Sequence, residues 1–213
     1  MIVTSVIITP LILRYLTTQE VNLFYLYLSI TAIGQGIVFG FGSTLTRFTA
    51  YSFGGVPFAD FENIRRKTSI SHHEHFDSCE LARILALTNT LFVVLGTLYF
   101  ITITVIGIVV IPRPLSALAD IDNGWYAWMI VVAGTTATTF LGGQKSILEG
   151  LDYVSLAQRT HAICNASGAV IQGAIIVIYK DLFLTLVLMQ VTHLSAALIL
   201  FLILYAGLAA PKL

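Results

Sequence analysis

Six long apolar stretches fill most of this 213-residue chain and leave almost nothing from which to build a water-soluble domain. A bilayer's hydrocarbon core is about 30 Å thick and takes roughly 20 mostly apolar helical residues per crossing. The stretches run over residues 1–16, 21–46, 84–111, 125–148, 162–179 and 183–205. They are continuous instead of alternating apolar with polar, which predicts helices and not strands. Each helix satisfies its own backbone hydrogen bonds, as lipid requires. The expected fold is therefore an all-α integral membrane bundle of about six transmembrane helices in a single domain over residues 1–213.

Composition enters here as a filter. Hydrophobic residues make up 57% and charged residues 10%, and mean hydropathy is +0.89. Formal net charge is zero, so the clustered basic surface that a nucleic-acid binder needs is not expected. Cys79 and Cys164 fit neither a CxxC nor a zinc spacing and read as free thiols. The first stretch lacks the positive start and small-residue cleavage site of a signal peptide. It reads as a membrane helix, interrupted by Pro10 and closed by Arg14, that begins abruptly.

Orientation follows from the basic residues. Arg47, Arg65, Arg66, Lys67, Arg83, Lys145, Arg159 and Lys212 fall on one side, against Arg14, Arg113 and Lys180 on the other. The positive-inside rule then places both termini and the 47–83 loop in the cytoplasm. Trp125, Tyr126 and Trp128, joined by Tyr15 and Tyr179, are expected as an aromatic belt at the outer interface. Gly36 and Gly40 at GxxxG spacing, and the stripe Gly134, Thr138, Gly142, predict close helix packing. The third stretch is long, at ~42 Å if wholly helical, and is expected to tilt, protrude or bend near Gly107.

Polar residues at membrane depth are the candidates for function. Gln35 stands in line with Thr31 in the second stretch. Asn165, Gly168 and Gln172 share one face of the fifth, and Gln190, His193 and Ala197 one face of the sixth. Asn89 and Gln144 lie nearer the cytoplasmic ends. Such faces point into a bundle or a watery cavity. Their bland role is interhelical hydrogen bonding, worth about 0.6 kcal/mol on average. Their functional role is an uncharged hydrophilic lining suited to sugar hydroxyls. Arg47, at the cytoplasmic end of the second stretch, is placed to snorkel to lipid phosphates or to bind a pyrophosphate. His193 is either a proton relay or an interhelical hydrogen-bonding group. The run His72, His73, Glu74, His75, Asp77, Cys79, Glu80 is rich in ligand types but has no metal-site spacing, so it reads as a solvated loop. No catalytic constellation, metal site or cofactor site is expected, and the chain does not read as an enzyme.

The segment ITPLILRYLTTQEVNLFYLYLSI, with Pro10, Arg14, Leu16 and Glu20, together with GFGSTLTRFTAYSFGG around Arg47, resembles the polysaccharide (O-antigen type) flippases. These belong to the multidrug/oligosaccharidyl-lipid/polysaccharide exporter superfamily. GGQKSILEGLDYVSLAQR is a weaker echo of the same family. The resemblance implies a flippase moving a lipid-linked oligosaccharide across the inner membrane, with membrane lipids as its other partner. It also implies a two-bundle transporter, of which this chain carries one bundle; a truncated or partial copy, or a homodimer, follows. By that analogy Gln35, Arg47, Gln172, Gln190 and His193 are the substrate-path candidates. A cation-coupled multidrug exporter and a non-transporting scaffold for glycan-assembly enzymes are the alternatives.

Overall fold

The computed structural model describes residues 2–53, 78–116 and 121–209, and every regular element among them is helical. In chain order these are α1 (Ile2–Tyr15), α2 (Thr18–Phe53), α3 (Ser78–Val110), α4 (Pro112–Leu115), α5 (Ile121–Phe140), α6 (Gly143–Gly150), α7 (Val154–Tyr179) and α8 (Leu182–Ala209). Among the described residues, three segments are long and apolar enough to cross a membrane: Ala82–Val110, Val154–Tyr179 and Leu182–Ala206. The 14 residues of α1 reach only about 21 Å, short of a bilayer's hydrocarbon core.

Local chemistry fixes where the helices stop. Thr17 and Glu20 form a capping box at the start of α2. The Thr17 amide and hydroxyl donate to Glu20 Oε2 at 2.9 and 2.8 Å, and the Glu20 amide donates back to Thr17 Oγ1. Pro112 and Pro114 follow α3 at once and leave only the single turn α4. Asp181 caps α8 by accepting the Phe183 amide at 2.8 Å. Lys180 closes α7 in the left-handed region, φ 51°.

The helices pack in the order α2, α3, α5, α8, α7, α1, with α6 wedged against α2 and touching α7 and α8. Two apolar clusters hold them. The larger joins Ile8, Ile12, Tyr27, Tyr99, Ile103, Trp128, Val131 and Leu186 towards the α1–α2 and α7–α8 turns. The smaller joins Ile147, Leu148, Ala157, Leu200 and Leu204 around α6.

Several expectations change. The stretch 125–148 is not one helix: α5 ends at Phe140 and α6 restarts at Gly143. At the break the Gly142 amide bonds the Thr139 carbonyl at 3.0 Å, a tightened three-residue turn. The glycines let the chain graze α3, since a Cβ on Gly143 would stand 2.5 Å from Thr88 Cγ2 and 3.0 Å from Phe92. α2 runs seven residues past 46, so Arg47 lies on a helix instead of ending one. Lys145 and Arg159 are likewise helical. Trp128 is not an interfacial anchor; it is 3% exposed and seated on Gly107, where a Cβ would meet its indole at 2.5 Å. α3 continues through Gly107 to Val110, so that glycine serves as a seat for the indole. Tyr126 and Tyr179 remain exposed, as a belt requires. Arg65, Arg66, Lys67, Lys212 and His72 through Asp77 lie outside the described residues.

Candidate functional site

The two apolar clusters do not meet everywhere, and polar side chains occupy the gap. Along α8, Gln190 and His193 fall between Leu186 of one cluster and Leu200 of the other. Along the α5–α6 line, Thr135, Thr136 and Thr139 fall between Val132 and Ile147. Thr135 and Thr139 satisfy their hydroxyls on their own helix, at the Val131 and Thr135 carbonyls, 2.6 and 2.8 Å away. These threonines add small polar bulk without seeking a partner.

Gln190 is different. It is 4% exposed, and neither its Oε1 nor its Nε2 has a hydrogen-bond partner. Its stem presses on α5, where a Cβ on Gly134 would come within 2.6 Å of Oε1 and 2.7 Å of the glutamine Cβ. Glycine at 134 is what admits the side chain. A buried, unsatisfied polar group costs about 1–3 kcal/mol, and this amide leaves both ends unsatisfied.

Gln172 on α7 is equally buried, at 4%. Gly168 packs directly on Thr192 across the α7–α8 pair, which fixes their register. Gln172 is four residues from that crossing, Gln190 two and His193 one. At 1.5 Å per residue these three lie within about 8 Å of one another in depth. His193 and Gln35 are half-buried. Gln35 sits one turn beyond Thr31, whose carbonyl accepts the Tyr99 hydroxyl at 3.4 Å and so ties α2 to α3. Arg47 is exposed, and twelve residues of α2 separate it from Gln35. The fold thus gathers Gln172, Gln190 and His193 on the α7–α8 pair, keeps Gln35 on α2, and leaves Arg47 apart.

A second polar group surrounds the α5–α6 break. Gln144 Nε2 donates to Asn89 Oδ1 at 3.3 Å, and Asn89 Nδ2 donates to the Tyr205 hydroxyl at 3.2 Å, which links α6, α3 and α8. Gln144 Oε1 and the hydroxyls of Thr88 and Thr49 are buried without partners. Asn89 and Gln144 were visible in the sequence as polar residues near span ends. Their bond was not, because it depends on the break that brings α6 beside α3. Beyond it, Lys145 pairs with Glu149 at 3.7 Å and Gln158 donates to Glu149 at 2.7 Å, bracing the α6–α7 turn. Asn165 and His161 Nδ1 pair at 2.7 Å on α7.

Thr97, Phe100, Ala133, Thr136, Ala137 and Phe140 line a shallow groove of about 320 Å³ between α3 and α5. None of the five path candidates borders it. The described carboxylates with resolved side chains stand at helix ends and turns: Glu20, Asp122, Glu149, Asp152 and Asp181. No group of three or more metal-ligand side chains occurs among the described residues.

What these features define among the described residues is a helical protein with three helices suited to cross a bilayer, with the buried amide of Gln190 between two apolar clusters and that of Gln172 inside the larger one. Compared with known proteins, the chain matches no family model, no curated protein and no solved structure.

Proposed function

We propose that this chain is one bundle of a membrane transporter that moves a lipid-linked oligosaccharide across a bacterial inner membrane. The observation that carries the reading is the unpartnered amide of Gln190, buried within α8 at a depth similar to that of Gln172 and His193. A bundle that only had to pack would place leucine there and avoid the desolvation cost. An amide offers one acceptor and two donors, the complement of a sugar hydroxyl, without the fixed charge that would arrest a glycan in transit. Alternating access needs a facing bundle, so the working unit has two, either from a second copy or from further chain. Among the described residues, the placement of carboxylates at helix ends lends nothing to a cation-coupled drug exporter, which uses an acid within a span.

The test is transbilayer movement of a fluorescent polyprenyl-pyrophosphate oligosaccharide in proteoliposomes, read by quenching from outside. Native protein moves the probe. Gln190→Leu, which keeps side-chain volume and removes the amide, abolishes movement while the protein folds. Undiminished movement by Gln190→Leu overturns the assignment of the amide, and no movement by native protein overturns the transport reading.

A further inference from the structure

At the end of the bundle opposite α6, two cations converge on one aromatic ring. The Arg14 guanidinium lies 5.6 Å and the Lys180 ammonium 5.9 Å from the centre of the Tyr15 ring. They come from different elements, the last turn of α1 and the residue that closes α7. Neither forms an ion pair among the described residues. The nearest carboxylates in sequence are engaged elsewhere: Glu20 in the Thr17 capping box, and Asp181 with the Phe183 amide. Each cation–ring contact offsets part of the repulsion between them. Two positive charges on one ring, neither in an ion pair among the described residues, favour an anion.

The backbone supplies a second and independent observation. Lys180 has φ 51°, a conformation that glycine reaches freely and that is strained for other residues. Its amide still caps the Ile176 carbonyl at 3.2 Å, a bond glycine would make equally well. The fold thus carries strain at the one position where a lysine reaches Tyr15 beside Arg14. Leu13, Ile178 and Tyr179, within two residues of these cations in sequence, are exposed apolar side chains on the same two elements.

A phosphate above and a hydrocarbon surface below are the two halves of one ligand. We propose that Arg14, Tyr15 and Lys180 bind the phosphodiester of an anionic phospholipid, whose acyl chains lie along Leu13, Ile178 and Tyr179. The site is separate from Gln190 and stands whether or not the chain transports a glycan. It also explains why basic residues occur on the side of the bundle that is otherwise poor in them.

The full chain in mild detergent, titrated with phosphatidylglycerol and watched by native mass spectrometry, tests it. Diacylglycerol with the same chains reports the tail contribution alone, and inorganic phosphate reports the anion alone. The native chain retains phosphatidylglycerol over diacylglycerol, and inorganic phosphate at matched concentration does not displace it. Arg14→Gln and Lys180→Gly each weaken retention by roughly fivefold, as expected for one surface cation. Lys180→Gly keeps the helix cap and relieves the left-handed strain, so its thermal midpoint does not fall; binding loss there is not unfolding. Equal retention of the two lipids, displacement by inorganic phosphate, or unchanged binding in the double variant overturns the proposal.

Discussion

Single residues show two different uses of polarity inside this bundle. Thr135 and Thr139 turn their hydroxyls back to their own helix and cost little. Gln190 does not, and both its polar atoms are buried without partners. Replacing such a group by an apolar isostere removes a desolvation penalty of about 1–3 kcal/mol. Gln190→Leu is accordingly expected to raise the thermal midpoint or leave it unchanged, as measured in detergent. A marked drop would mean that the amide holds the fold together. The sequence singled out Gln190 as a polar residue at depth. It gave no sign that Gly134, 56 positions earlier, makes room for it. The aromatic at 128 shows the same difficulty: belt-like composition suggested an interfacial ring, and a glycine on α3 buries it.

At the scale of elements, the informative feature is the break between α5 and α6. Hydropathy runs smoothly through Gly142 and Gly143, so periodicity reads one span where there are two helices. The glycines were legible as small packing residues. That they interrupt a helix follows from α3, because Thr88 and Phe92 occupy the space any side chain would need. Gly143→Ala places a methyl 2.5 Å from Thr88 Cγ2. A loss of about 1–3 kcal/mol is expected from such overpacking, seen as earlier unfolding in a detergent titration. An unchanged midpoint would show that α6 can retreat from α3 without penalty. The start of α2, the end of α3 and the start of α8 fall close to the apolar stretches because capping residues sit where the hydropathy stops: Thr17 with Glu20, Pro112, and Asp181. The end of α2 and the starts of α3 and α7 run six to eight residues into more polar sequence.

For the molecule as a whole, the helical class was readable because lipid permits so few solutions to a chain this apolar. Helix neighbours were not readable, since α1 packs on α7 more than on α2, its neighbour in sequence. The basic residues of positions 47–83, with Lys145 and Arg159 on α6 and α7, predict that this end faces the cytoplasm. A reporter active only outside the inner membrane, fused within the turn after Tyr179, is expected to be active; the same reporter fused after Leu151 is expected to be silent. The reverse pattern would invert the bundle. Sodium carbonate washing should leave the chain in the membrane fraction, and release into the supernatant would remove the membrane reading altogether.

The account requires that the amide of Gln190, buried between the two apolar clusters, be reached by water and sugar when the bundle opens. Reactivity of a cysteine at position 190 towards a charged, membrane-impermeant thiol reagent probes this directly, with Cys79 and Cys164 replaced by serine and the protein in sealed proteoliposomes. Gln190→Cys is expected to react, while Leu186→Cys, one turn away inside the larger apolar cluster, stays protected. Equal protection of both cysteines would contradict the account.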